Sequence, residues 1–142
     1  MQGKTHAVRI ETEQQMIELG ERLAQHAKRG MVVALAGPLG VGKTTLARGV
    51  LRGLGWTGEV RSPTFNLIHE YATEPPVCHA DLYRIRNPQE LADLGLDDYL
   101  ESHLCLIEWP EVAGELLPSD AVAISLEFVD GARDVRIEGL SL

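Results

Sequence analysis

An α/β fold is predicted by three observations. Strand-like and helix-like segments alternate through the first half of the chain. A glycine-rich loop, Gly37-Pro38-Leu39-Gly40-Val41-Gly42-Lys43-Thr44-Thr45, joins an apolar run at 31–36 to a helix-like segment at 45–51. Near the C-terminus Asp130-Gly131 separates two alternating runs, a strong hairpin signal that adds antiparallel pairing at one side. The 142 residues suit one domain, 1–142, with one sizeable core. No internal repeat, low-complexity stretch or second domain interrupts them.

In chain order, His6–Ile10 alternates and reads as a strand. Thr12 opens a helix, with Gln15 as its capping-box partner. Met16, Leu19, Leu23 and Ala27 recur on one face, and Gly30 is expected to end the helix as its C-cap. Thr12 could also border a nucleotide base. Met31–Ala36 reads as a buried strand. After the helix that follows the glycine loop, Gly53–Gly58 holds three glycines and marks a connection in which Trp56 is read as a packing anchor. Asn66–Tyr71 and Val77–Asp81 are strand-like, linked through Pro75-Pro76. Asn87 followed by Pro88 starts a short helix that stops near Gly95. Asp97–Leu100 adds a helical turn. Leu104–Ile107 is another buried strand, ending in Glu108-Trp109-Pro110. Pro118–Asp120 is a turn, and strands are expected at 121–129 and 135–140.

The glycine loop carries chemistry because of what surrounds it. G-x-x-x-x-G-K-[ST] between a strand and a helix is the phosphate-binding P-loop, or Walker A motif. Its glycines let successive N–H groups face one anion. The helix behind it turns its positive end to the same phosphates. The loop's Leu39, Gly40, Val41, Gly42, Lys43, Thr44 and Thr45 are therefore the nucleotide-binding residues. Lys43 reaches the β/γ-phosphates, and the Thr44 hydroxyl is placed to ligate Mg²⁺, which takes oxygen ligands. Two acids follow apolar strands. Asp81 has the form of a Walker B acid; it could instead cap a helix or pair with Arg84 or Arg86. Glu108 lies where open α/β sheets bind ligands, which makes it a candidate for the magnesium shell, directly or through water. The alternative is a solvated acid at a strand end. Ser62-Pro63-Thr64-Phe65 sits between the P-loop helix and the next strand. Its threonine can approach the γ-phosphate, or the segment is a Ser-Pro turn. His69 and His79 lack metal-ligand companions and are read as structural. The hairpin Asp130–Arg133 could line an adenine pocket.

Charge and cysteine usage narrow the function classes. A net charge of −8 argues against a chain that holds nucleic acid unaided. Cys78 and Cys105 lie in apolar runs outside any C-x-x-C pair and read as buried thiols in a reducing compartment. No signal peptide and no apolar run near 18 residues is found, so no membrane span is expected. A GTPase would need N-K-x-D and D-x-x-G, and neither occurs. A small-molecule kinase would need a lid, for which little chain remains. A binding module that uses ATP as a structural ligand is the third alternative, beside a nucleotide-dependent switch acting on some other partner.

The set Gly37–Thr45, Ser62-Pro63-Thr64-Phe65, His79-x-Asp81-x-Tyr83-Arg84 and Ile107-Glu108-Trp109-Pro110 resembles the bacterial TsaE (YjeE) family over nearly the whole chain. The resemblance implies a three-layer α/β fold with a central, mainly parallel sheet. It implies a cytoplasmic ATPase that uses ATP and Mg²⁺, hydrolyses slowly, and serves threonylcarbamoyladenosine formation in tRNA. TsaB and TsaD would be its protein partners and tRNA only an indirect one. It further implies that Lys43 binds phosphate, that Thr44 and Glu108 hold magnesium, that Asp81 supports hydrolysis, and that Thr64 senses the γ-phosphate.

Overall fold

The computed structural model describes residues 5–60 and 67–142. The segment 61–66, with the candidate Thr64 and its neighbours Ser62, Pro63 and Phe65, lies outside the described residues. The elements are β1 (Thr5–Ile10), α1 (Glu13–Ala24), β2 (Val32–Ala36), α2 (Lys43–Gly53), β3 (Ile68–Tyr71), β4 (Val77–Asp81), α3 (Pro88–Leu94), β5 (Leu104–Glu108), β6 (Val122–Val129) and β7 (Ala132–Glu138). They form one seven-stranded sheet in the order β1-β7-β6-β2-β5-β4-β3. The four central strands, β6, β2, β5 and β4, run parallel. Antiparallel pairs flank them: β3 on β4 at one edge, β7 on β6 and β1 on β7 at the other. The sheet is thus mixed, with its parallel part at the centre.

Burial follows the strand period. Val33, Leu35, Leu104, Leu106, Ile124 and Leu126 pack against α1 and α2. Their neighbours Val32, Cys105 and Ile107, with Cys78 and Ala80 of β4, pack on the opposite face under α3 and the following turns. Strands β2 and β5 are covered on both faces, which is why they read as unbroken apolar runs. Strand β6 alternates buried and exposed positions because only one of its faces is covered. Cys78 and Cys105 are opposite one another in the β4–β5 register, buried and without a disulfide.

Local signals account for most element ends. Thr12 caps α1 through a full capping box with Gln15. Asn87 caps α3 by accepting the Glu90 N–H at 2.9 Å, and Gly95 closes that helix at φ +76°. The β6–β7 turn places Asp130 at φ 49° and Gly131 at φ 78°, the conformation a two-residue hairpin loop requires. The expectation for Gly30 is corrected. Helix α1 stops at Ala24, because the N–H groups of Gln25, His26 and Ala27 bond three residues back and tighten the last turn. Gly30 instead makes the left-handed turn into β2 and donates to the His103 carbonyl. Trp56 is a packing anchor, edge-on to Tyr71 with ring centroids 5.1 Å apart.

Two glycines set the distance between α1 and α2. A Cβ on Gly20 of α1 would lie 2.4 Å from the Leu46 carbonyl oxygen, and one on Gly49 of α2 would lie 2.3 Å from that of Ile17. Only hydrogen atoms fit between the two backbones. This contact seats α2, and with it the P-loop at its N-terminus, against α1.

Candidate functional site

The P-loop wraps the N-terminus of α2 in the predicted manner. Gly42, its N-cap, has φ +118°, which disfavours a side chain there. Val41 is completely buried beneath the loop. Lys43 is drawn inward: its Nζ donates to the Gly37 carbonyl and lies 3.9 Å above the centroid of the Trp109 ring. Burial pulls the Lys43 ammonium below its ordinary pKa, and the nearby Glu108, Asp81 and Glu111 partly restore it. Trp109 holds φ +59°, an unusual backbone state for a bulky residue. It brings the ring under Lys43 and against Tyr83, with centroids 4.8 Å apart.

Thr44, the first hydroxyl of α2, donates to Oε2 of Glu108 at 3.0 Å. Glu108 ends β5 and is 3% exposed, so it is not a solvated strand-end acid. Asp81 ends β4 and is the register partner of Glu108. The two carboxylates therefore stand side by side at the carboxyl ends of adjacent parallel strands. Asp81 Oδ1 accepts the Tyr83 N–H at 2.9 Å, and the cap of the next helix is Asn87. Partial burial raises the Asp81 carboxyl above its usual range; the Tyr83 N–H opposes that rise and the Glu108 charge adds to it.

One cleft gathers the predicted residues except Val41, which is buried, and Thr64, which lies outside the described residues. Leu39, Gly40, Gly42, Lys43, Thr44, Thr45, Asp81, Glu108 and Trp109 all line it. A second hollow opens on the other side of the loop, where Thr12, Met16 and Arg133 meet Gly40, Val41, Gly42 and Thr45. Arg133 Nε donates to the Val41 carbonyl at 3.2 Å and so ties the C-terminal hairpin to the P-loop. Thr12 and Arg133, distant in sequence, thus line one hollow beside the phosphate loop.

One functional candidate was missed by sequence reasoning. His79 is completely buried, and its Nε2 lies 2.7 Å from Glu108 Oε2. Among the described residues it belongs to no group of three His, Cys, Asp or Glu that could hold a metal ion. Its role is toward an acid, not toward a metal. The available signal was parity. His79 and Asp81 are two apart on a strand and share a face.

The oxygen donors fit magnesium. A hydroxyl and a carboxylate lie 3.0 Å apart in the cleft, whose described lining residues include a lysine but no cysteine or methionine. No described helix is long and apolar enough to cross a membrane.

Comparison with known proteins agrees with this geometry. The family described as "Threonylcarbamoyl adenosine biosynthesis protein TsaE" matches residues 10–135. A Haemophilus influenzae protein is 38% identical over 135 residues, covering 90% of this chain and 85% of its own. One from Streptomyces coelicolor is 39% identical, covering 88% and 90%. Both are named tRNA threonylcarbamoyladenosine biosynthesis protein TsaE. The crystal structure of Bacillus subtilis YdiB superposes with a TM-score of 0.83 at 31% identity, covering 98% of this chain and 88% of that one.

Proposed function

The chain belongs to the TsaE family of threonylcarbamoyl adenosine biosynthesis proteins, and from that premise we propose that it is a magnesium-dependent ATPase serving tRNA threonylcarbamoyladenosine formation together with TsaB and TsaD in the cytoplasm. The observation that carries this reading is the Thr44–Glu108 hydrogen bond, which joins the P-loop helix to the end of β5 inside the phosphate cleft.

The roles we propose are these. Backbone N–H groups of 39–45 cradle the phosphates, and Lys43 leaves its Gly37 partner to reach the β/γ-oxygens. Thr44 and Glu108 would hold the metal. Bound there, magnesium would neutralise negative charge on the β/γ-phosphate oxygens. Asp81 faces the same cleft, with a carboxyl that burial makes more basic than usual, and it orients the attacking water and takes up its proton. Thr64 senses the γ-phosphate. The hollow between Thr12, Met16 and Arg133 receives the adenosine.

Turnover by the chain alone is slow, roughly 10⁻⁴–10⁻² per second, because the P-loop motifs include no arginine at a finger position. With a net charge of −8, contact with tRNA runs through the partner proteins. The nucleotide cycle then times that contact. The test is to titrate ATP and ADP, with and without magnesium, while recording TsaB–TsaD affinity and ADP formation. Nucleotide- and magnesium-dependent association with slow basal turnover is expected. Equal partner affinity in every nucleotide state would sink the timing role, since a ligand that binds two states equally shifts neither.

A further inference from the structure

Glu108 receives two hydrogen bonds on one atom. Thr44 Oγ1 and His79 Nε2 lie 3.0 Å and 2.7 Å from Oε2, while Oε1 has no hydrogen bond among the described residues. His79 Nδ1 is also buried, with no partner. Since a carboxylate oxygen accepts, Nε2 carries the proton, and the bare Nδ1 then leaves only a lone pair unsatisfied. The ring is anchored by its strand: the His79 position pairs with Leu106 on one side and His69 on the other.

We propose that His79 is a positioning residue for the Glu108 carboxylate, pinning Oε2 so that Oε1 is the oxygen turned to the metal shell. The proposal rests on the magnesium reading given above. A carboxylate held only by Thr44 is free to rotate and exchange its two oxygens, and Thr44 is itself needed by the metal. A donor fixed on β4 removes that freedom before metal arrives. Partners of this kind, one bond removed from a metal, change metal affinity about 10- to 100-fold when lost.

The test uses the emission of Trp109 in a Trp56→Phe background to follow binding of a non-hydrolysable ATP analogue as magnesium is titrated. His79→Gln places its amide nitrogen near the position of Nε2; His79→Asn stops at the reach of Nδ1; His79→Leu has no donor. The Asn and Leu variants should need about tenfold more magnesium, with affinity for the analogue in magnesium-free buffer unchanged. The Gln variant should restore the wild-type response. In a Glu108→Ala background, His79→Asn should add nothing. If the Leu variant fails to fold, the Asn–Gln pair decides. A wild-type magnesium response in His79→Asn, or a parallel fall in magnesium-free affinity, overturns the proposal and leaves His79 a packing residue. Independence from magnesium in the unmutated protein would instead overturn the function reading beneath it.

Discussion

Two histidine–glutamate pairs sit at opposite ends of β5. His79 meets Glu108 at the carboxyl end, and His103 meets Glu70 at the amino end, each at 2.7 Å. Distance does not distinguish them; surroundings do. The His79 and Glu108 side chains are 0% and 4% exposed, whereas those of His103 and Glu70 are 11% and 55% exposed. The second pair also looks like a chain of catalytic groups, because Ser102 Oγ lies 2.6 Å from His103 Nδ1. Yet water solvates Glu70, no P-loop faces it, and the nearby cation, Arg29, is bound to Glu74 and to the Ser102 carbonyl. In a doubly wound sheet the carboxyl ends of the parallel strands are where ligands gather. The same pair of residue types is therefore site chemistry at one end and surface structure at the other.

Substitution of the cation at each end separates the two regions most widely. Lys43→Ala should lower ATP affinity about tenfold to a hundredfold, the equivalent of roughly 1.5–3 kcal/mol for a lost charged hydrogen bond. Arg29→Ala should leave ATP affinity unchanged, which calorimetric titration of both variants checks. A loss of ATP affinity in Arg29→Ala would break the comparison.

Removal of the acid is the next largest effect. Glu108→Ala strips one buried and one partly buried donor of their acceptor and should cost about 1.5–3 kcal/mol of stability in urea unfolding. It should also raise the magnesium needed for nucleotide binding. Glu70→Ala, where the acid itself is more than half exposed, should cost less, about 1 kcal/mol, and leave the magnesium response intact. If Glu108→Ala keeps wild-type magnesium dependence while Asp81→Ala loses it, the two acids have been assigned the wrong way round.

The smallest effect sharpens the comparison from the side of pH. The Asp81 carboxyl is raised in the folded chain, chiefly by burial. A raised acid favours folding only while protonated in both states, so its ionisation costs stability as pH rises through the folded value. Asp81→Asn should therefore be more stable than wild type at neutral pH. That gain should shrink on acidification and vanish below about pH 4, the ordinary carboxylate range. Turnover should fall while ATP binding persists. Thermal melts across pH 3–8 would read the crossover, and a gain that survives in acid would contradict it.

Local chemistry was legible. The P-loop residues Leu39 to Thr45, the caps Thr12 and Asn87, the Asp130-Gly131 turn and the apolar runs of β2 and β5 all formed as read, because each depends on neighbours within a few residues. Gly30 was misread for the same reason: a glycine after an apolar stripe looks like a cap, but α1 had already satisfied its last carbonyls. What the tertiary structure alone decided concerns partners far apart in the chain. That β1 pairs with β7, and that Thr12 and Arg133 share one hollow, follows from closing the sheet order. The role of His79 is the sharpest case. Strand parity put it on the same face as Asp81, but its acceptor stands on β5, 29 residues later. Side-chain type and period are properties of the sequence, whereas strand adjacency arises from the packing of the whole sheet against α1 and α2. It was that adjacency which turned a histidine with no companions in the sequence into part of the site.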